Sequence, residues 1–311
     1  MIRPTLVALL LLSLAGQCLA DNGPMMRILA VDVLSSLMPK ALPTRPMEKG
    51  QSVFSVAPAT FKQDYDKTYT SVSGGEPQTF GVYQKAKGWA GALSYSRAYS
   101  NKFGLAVVAG AMSAEGTMRQ RPFGPGGTGA RMPLSSQFYS GNGDDSAKVV
   151  SLNAIYDPYG NKPDFRLPIV FGLAAMQMSG SYEIPFVSDV NSGSWAVGTQ
   201  GVMTNKYSGV SPGYFIAIAP QFTTWLFRWS PFAFAAAPLK KLEFGTDTLN
   251  RSTGVTTSET DTSDAGTIAN YGIELTFTPI SLSFSYIPAP KVDSSQKIKQ
   301  DVYSLRWSHK W

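Results

Sequence analysis

The last ten residues, VYSLRWSHKW (302–311), decide the fold, because apolar and polar side chains alternate along them. Leu305, Trp307 and the terminal Trp311 share one parity, whereas Arg306 and Lys310 share the other. Successive side chains of a β-strand point to opposite faces, so the stretch predicts a strand with one apolar and one polar face. We expect lipid on the apolar face and the lumen of a barrel on the polar face.

The same two-residue period recurs upstream in 269–277 and 280–286. In 280–286 one face is Ile, Leu, Phe and Tyr, and the other is all serine. The apolar faces repeatedly end in Trp or Tyr, which is typical of the aromatic girdles of a membrane barrel. A soluble β-sandwich with aromatic core residues is the alternative interpretation.

After residue 20, no apolar run approaches the roughly 20 residues that a membrane helix needs. A closed barrel is then the structure able to span lipid, because its backbone polar groups are all paired internally. The turn residues between these stretches predict an all-β fold, namely a transmembrane antiparallel up-and-down barrel. We expect about ten strands, within a range of roughly eight to twelve, and a short N-terminal helix. The predicted strands are 51–66, 80–99, 103–115, 147–157, 165–180, 212–227, 231–245, 267–278, 280–288 and 301–311.

The predicted linkers alternate between short turns and long polar loops, as in outer-membrane barrels. Ten strands place both chain ends on the periplasmic side, and a hairpin hidden within 181–211 would raise the number to twelve. Four prolines fall inside predicted strands, which implies bulges or misplaced strand ends: Pro58, Pro168, Pro220 and Pro238.

Residues 1–20 have the pattern of a cleaved signal peptide, with Arg3 before an apolar stretch and small residues leading to Ala20. Cys18 could instead indicate a lipoprotein, although Gln17 precedes it where such signals carry a small residue. Cleavage after Ala20 would remove the only cysteine and with it any disulfide or thiol chemistry. Residues 21–50 predict a periplasmic helix, ended by Pro39, and a linker, and 51–311 form the barrel. The helix could plug the lumen, close it as a lid or lie on a surface.

The C-terminal residues Tyr303, Leu305, Trp307 and Trp311 resemble the terminal-strand signature of bacterial outer-membrane β-barrel proteins. The resemblance implies a bacterial outer-membrane location and recognition by the outer-membrane insertion machinery. His309 departs from the pattern, since an apolar or aromatic residue is commoner at that position. The resemblance covers only these ten residues and matches no particular barrel family.

Catalytic chemistry has few candidates in this chain. His309 is the only histidine and is predicted to face lipid, so we expect no enzyme, no cofactor and no metal. Asp144 and Asp145 form the most visible carboxylate pair, but they lie in a Gly/Asn-rich stretch that turn formation explains. The glycine-rich run 123–129 lacks the features of a phosphate-binding loop.

The polar parity places Arg166, Glu274 and Arg306 toward the lumen, where they could form a closing ion pair or line a polar path. The leading hypothesis is a narrow pore for passage or binding of a small solute; an N-terminal plug would favour uptake of a hydrophobic compound. The alternative is a closed surface-structural or adhesive barrel that contacts lipopolysaccharide or partner proteins through 116–146, 181–211 and 246–266. Three arginines are candidates for lipopolysaccharide phosphates: Arg119, Arg121 and Arg131. No nucleic acid partner is expected.

Overall fold

Antiparallel β-strands make up the fold throughout the part of the chain that the structure, a computed structural model, describes. The described residues are 42–43, 47–73, 76–123, 139–160, 162, 164–187, 200–240, 242–250, 254–263, 268–288 and 296–311. The strands are β1 Ser52–Ser73, β2 Glu76–Ala98, β3 Phe103–Phe123, β4 Tyr139–Tyr156, β5 Phe165–Arg166, β6 Ile169–Val187, β7 Gln200–Ile218, β8 Gln221–Thr224, β9 Phe227–Pro238, β10 Leu242–Asn250, β11 Thr256–Ser263, β12 Ile268–Phe277, β13 Leu282–Pro288 and β14 Gln296–Lys310.

These strands close into a barrel of ten positions. The segments β9 and β10 both pair with β7, one after the other, and together count as one barrel strand. On their other side β12 pairs with β9 and β11 pairs with β10, so β11 and β12 together form the next barrel strand. The short strands β5 and β8 pair with each other, and β8 also pairs with β9, so they continue the wall beyond Pro168 and Pro220. Closure occurs where β1 meets both neighbours, with Val53 opposite Ser96 of β2 and Lys310 of β14. The predicted ten-stranded antiparallel barrel is therefore confirmed.

The barrel has two different ends. The lower rim carries the chain's C-terminus, the start of β1 and the short turns 99–102 and 278–281. The upper rim carries the connections after β1, β3, β6, β10 and β13. The segments predicted as long loops all fall on the upper rim, but the strands extend into them, and only residues 74–75 separate β1 from β2.

Large apolar side chains point away from the barrel, and small or polar ones point inward. On β13 Phe284 is 48% exposed and Ser285 only 3%; on β14 Leu305 is 45% exposed and Ser304 only 5%. Such an apolar outer belt suits a hydrocarbon surrounding. A soluble sandwich would bury these same faces, so that alternative is wrong.

Three phenylalanines project into the barrel interior, each directly opposite a glycine of a neighbouring strand. Phe215 of β7 faces Gly172 of β6, and a Cβ on that glycine would lie only 2.1 Å from the Phe215 ring. Phe61 faces Gly88 and Phe232 faces Gly272 in the same way. The ring of one strand thus covers the bare backbone of the next, a device known to stabilise sheets that contain glycine.

The strands are taller than predicted. Most of the segments expected to be long loops are strand at their ends, for example 67–73 and 76–79, which join across 74–75. The strand β2 contains 23 residues, whereas crossing a bilayer takes about 9–11. Its upper part therefore stands beyond the apolar belt. Residues 67–73 and 76–79 lack a strict apolar–polar alternation in the sequence, so the pattern did not predict strand there.

The prolines show where predicted strand ends were wrong. Pro168 separates β5 from β6, and Pro220 separates β7 from β8, since proline offers no N–H to a ladder. Pro238 is the last residue of β9, and Pro58 lies within β1 without shifting its register to β14. The linker predicted at 228–230 was also wrong, because the turn is at 225–226 and those residues belong to β9.

The predicted signal peptide and the helix within 21–50 lie in residues 1–41, outside the described part of the chain. Within 181–211, β6 and β7 account for the described residues, and 188–199 are outside that part. In the described ranges no helix has the length and apolarity needed to cross a membrane.

Candidate functional site

The interior of the barrel is filled by side chains rather than open. Rings and thioethers from five strands belong to one buried cluster, in which each side chain is at most 4% exposed: Phe61, Met112, Met178, Phe215, Phe232 and Phe234. Alanines at inward positions of β1, β2 and β3 extend the cluster. Small barrels are commonly filled by their own side chains in this way. Here the side chains of the cluster are buried, so they do not line a water-filled channel.

Arg306 of β14 and Glu274 of β12 form an ion pair inside the barrel. The two side chains reach across β13, whose inward residues at this height are the small Ser283 and Ser285. Both side chains are 2% exposed, so the interaction is shielded from bulk water. Breaking such a pair from one side leaves an uncompensated buried charge, which is strongly destabilising.

Arg166 of β5 belongs to a second buried polar group near the lower rim. Its Nε donates to Asp157 Oδ2 at 2.7 Å, and its Nη1 donates to Gln221 Oε1 at 3.4 Å. Asp157 Oδ1 accepts the backbone N–H groups of Tyr159 at 3.1 Å and Leu167 at 3.3 Å. The carboxylate therefore fixes both the turn after β4 and the position of the guanidinium.

The chain segment before β1 enters the barrel between these two groups. Arg306 Nη1 donates to the carbonyl oxygen of Leu42 at 2.7 Å, and Gln221 Nε2 donates to the carbonyl oxygen of Pro43 at 2.8 Å. Leu42 is 3% exposed. We call the described residues 42–43 and 47–50 the strap. Two lumen side chains thus hold consecutive strap carbonyls.

The strap is also attached at the lower rim. Met47 is buried, and Lys310 Nζ contacts Glu48 Oε2 at 2.8 Å in an exposed ion pair. The N–H of Gly50 donates to the carbonyl of Ala98 at 2.8 Å, just before β1 begins. The described parts of the strap therefore contact the β1–β2 edge of the rim at Gly50 and, inside the barrel, the side chains of Arg306 and Gln221.

The three residues predicted to face the lumen are all buried, and they form two groups. Glu274 and Arg306 meet each other, whereas Arg166 pairs with Asp157. Sequence reasoning missed Asp157 and Gln221, which were placed at a turn and within a strand. It also missed the strap contacts, because backbone carbonyls of any residue type can accept these hydrogen bonds.

The other candidate site residues predicted from the sequence do not come together as one site among the residues that the structure describes. Asp144 points outward and Asp145 inward on β4, so they cannot act as one carboxylate pair. Arg119 and Arg121 belong to β3 rather than to a loop, whereas Arg131 and residues 124–129 of the glycine-rich run lie outside the described residues. In the described ranges, no three His, Cys, Asp or Glu side chains converge as a metal site would require.

His309 lies on the outer face of β14 at the lower rim. Its ring is 5.8 Å from both the Trp307 and the Trp311 rings, measured between centroids. Tyr303, Leu305, Trp307 and Trp311 share that outer face and are each 45–61% exposed. The C-terminal residues therefore form a continuous apolar strip with the imidazole inside it.

No protein-family model and no curated protein matches the chain. Solved structures similar to it include the outer membrane protease OmpT from Escherichia coli, at 10% identity and TM-score 0.49, covering 84% of this chain and 95% of that one. The outer membrane protein OprG from Pseudomonas aeruginosa aligns at 11% identity and TM-score 0.37, covering 85% and 97%. A major outer membrane protein from Thermus thermophilus aligns at 12% identity and TM-score 0.33, covering 83% and 99%.

The described residues themselves form a closed antiparallel barrel of ten strand positions with an apolar belt on its outer surface.

Proposed function

We propose that this protein is a non-enzymatic barrel of the bacterial outer membrane with a closed lumen, and that it acts through its outer surface. The observation that carries the proposal is the buried cluster around Phe215 together with the strap held by Arg306 and Gln221. A conducting path needs solvent-lined walls, whereas these side chains are removed from solvent.

The tall upper strands supply the surface through which such a barrel would act. The strands β1, β2 and β3 contain 22, 23 and 21 residues and stand well beyond the apolar belt. Partners of this wall would be lipopolysaccharide or neighbouring proteins. A paired β-wall gives this surface a backbone fixed by interstrand hydrogen bonds, which favours recognition of a repeated or rigid partner.

The test is single-channel recording in planar bilayers with the purified protein comprising residues 21–311. We expect no conductance steps under conditions in which a known porin shows them. Regular steps from the unmodified protein would contradict a closed lumen.

A gated narrow pore is the second candidate, favoured by the way the strap is held. Its carbonyls depend on two noncovalent contacts, and serines and alanines line much of the interior around them. Deletion of residues 21–47 separates the two functions. The closed-barrel proposal expects silence from this variant also, because the phenylalanine cluster remains, whereas a gated pore would conduct.

An enzyme remains the third hypothesis, and the outward position of the only histidine argues against it. Incubation of the purified protein with phospholipid, lipopolysaccharide and peptide substrates should leave all of them unchanged. Hydrolysis or acyl transfer that co-purifies with the barrel and disappears on its denaturation would contradict this part of the proposal.

A further inference from the structure

Two neighbouring turns of the lower rim, after β8 and after β12, present exposed apolar side chains. Trp225 is 93% exposed and Ile280 is 54% exposed. The backbone N–H of Thr278 donates to the carbonyl oxygen of Leu226 at 2.9 Å, and the Thr278 hydroxyl donates to the same oxygen at 3.1 Å. The two turns are therefore held side by side. We call their apolar residues the rim patch: Trp225, Leu226, Pro279 and Ile280.

The other described connections of this rim have a different composition. The turn 99–102 carries the exposed Lys102, and the connection 157–164 carries the exposed Lys162 and Asp164. Neither turn of the rim patch contains a charged residue. Contiguous exposed apolar surface marks a place of contact with protein or membrane. The rim patch is therefore a contact surface on one side of the rim.

The path of the strap leads to this side of the rim. The strap contacts the β1–β2 edge at Gly50, whereas at 42–43 it has reached Arg306 of β14 and Gln221 of β8. In the sheet β13, β12 and β9 lie between β14 and β8, and the turns of the rim patch belong to these strands. Followed toward its N-terminus, the chain therefore crosses the lumen to the sector that carries the patch.

The strap lies a short distance above the rim patch. Gln221, which holds the carbonyl of residue 43, lies four positions before Trp225. A strand rises about 3.3 Å per residue, so this contact is about 13 Å or less above the turn. An extended chain covers up to about 3.3–3.6 Å per residue, so residues 38–41 are enough to bring Leu37 to the level of the patch.

The interior above the strap is occupied by side chains of the barrel itself. Phe215 lies six positions further up the wall than Gln221, and Phe232 lies opposite Gly272 at the same end of the filled region. Both rings belong to the buried cluster. A segment placed above the strap would collide with these rings, so the open path leads down through the lower mouth.

The sequence before the strap carries an apolar face that suits the patch. Within 25–38, six apolar residues recur at helical spacing, and Ser35 lies on the opposite side of such a helix. Short isolated helices are marginal in water, so a helix of this kind needs an apolar surface to pack on. The rim patch is such a surface within reach. The six apolar residues are Met26, Leu29, Ala30, Val33, Leu34 and Leu37.

We propose that residues 25–38 form an amphipathic helix that docks under the barrel, with its apolar face on the rim patch. Leu37, near the end of the helix, lies against Ile280 and Trp225, because residues 38–41 permit no great separation. This position is that of a lid beneath the lower mouth, rather than a plug within the lumen. The barrel wall is complete without the helix, so loss of Trp225 frees the segment and leaves folding of the barrel unchanged. The inference goes beyond the proposed function and does not depend on the absence of conductance.

The first experiment places a spin label at Pro279→Cys in protein comprising residues 21–311, which has no other cysteine. This position lies in the patch and leaves Trp225 and Ile280 in place. Accessibility to dissolved oxygen and to a water-soluble nickel chelate is measured in lipid bilayers. The label is then measured again with Leu37→Glu, and with Ser35→Glu as the matched control for added charge. The gel shift on heating shows that each variant is folded.

We expect the label to be protected from both reagents and to become severalfold more accessible to the nickel chelate with Leu37→Glu, but not with Ser35→Glu. Accessibility to oxygen that ignores Leu37→Glu would mean that lipid covers the patch, since tryptophan is common at membrane interfaces. Accessibility to nickel in the parent protein would mean that water covers it. Protection that survives Leu37→Glu would mean that a different partner covers it. Each of these three results would overturn the proposal.

The second experiment tests the contact directly by disulfide formation on mild oxidation. Leu37→Cys with Ile280→Cys should form a disulfide in high yield, because bridged cysteines need Cα atoms within about 7 Å. Leu37→Cys with Ser100→Cys, in the β2–β3 turn, is the control and should stay reduced. Equal yields from the two pairs would overturn the docked position. Conductance is not a readout here, so failure of this contact leaves the closed lumen untouched.

Discussion

The guanidinium of Arg306 joins the last strand of the barrel to Leu42, more than 260 positions earlier, through a hydrogen bond of 2.7 Å to its carbonyl oxygen. The same guanidinium pairs with Glu274. One side chain therefore connects the strap, β12 and β14 inside a region closed to solvent.

Replacing Arg306 by Met should destabilise the barrel by about 3–5 kcal/mol, because Glu274 would be left buried and unpaired. The further change Glu274→Leu should restore most of the loss, since an apolar pair avoids the buried charge. Urea unfolding of the protein in lipid bilayers, followed by tryptophan fluorescence, measures both differences.

The matched control is Lys310→Gln, which breaks the ion pair with Glu48 at the lower rim. That pair is exposed, at 38% for Lys310 and 56% for Glu48, so its loss should cost about 1 kcal/mol or less. Equal losses from Arg306→Met and Lys310→Gln would show that burial of the inner pair has no energetic consequence.

Gly172→Ala should destabilise the barrel by about 1–3 kcal/mol through overpacking of the interior. The added Cβ would lie 2.1 Å from a Phe215 ring carbon and 2.4 Å from Asn153 Oδ1. Gly91→Ala on the outer face is the control, because a Cβ there meets no atom within 4 Å. The temperature at which each protein loses its fast gel mobility gives the comparison, and equal temperatures would contradict the close packing at Gly172.

Labels at neighbouring positions of β13 should report opposite surroundings. In protein comprising residues 21–311, a spin label at Phe284→Cys should be accessible to oxygen dissolved in the bilayer, because position 284 faces outward. A label at Ser285→Cys should be protected from both oxygen and a water-soluble nickel chelate, because position 285 lies in the filled interior. Protection at position 284 with accessibility at position 285 would show that the inner and outer faces of β13 are exchanged, which would contradict this barrel.

Strand β13 shows how much of the fold the sequence predicts. Apolar and serine side chains alternate along 280–286, and lipid on one side with a filled lumen on the other preserves that alternation. The same argument places Glu274 and Arg306 inside. Residues 67–73 and 76–79 lack this alternation, so the sequence did not identify them as strand.

The strap contacts could not be predicted for a different reason. The ion pair needs Arg306 and Glu274 to meet across β13, which follows once strand order and parity are known. The hydrogen bond to Leu42 depends on a carbonyl that every residue possesses, and on a chain path that no side-chain pattern determines. Asp157 was overlooked because a turn explains an aspartate without a buried partner.

Deletion of the last residue should impair assembly more than truncation of another exposed tryptophan side chain. Trp311 exchanges two backbone hydrogen bonds of 3.2 Å with Ser52, at the point where β14 closes against β1, and its ring lies 6.3 Å from that of Tyr95. Deleting Trp311 removes all three contacts, with a loss of about 0.5–1.5 kcal/mol for each hydrogen bond. The deletion should therefore slow folding into lipid vesicles and lower the heat-stable fraction recovered from cells.

Trp225 is the control, because it lies in the β8–β9 turn and is 93% exposed, so the Trp225→Ala variant should fold at the normal rate. Normal folding of both variants in vesicles and in cells would mean that barrel closure at Ser52 does not depend on the terminal residue.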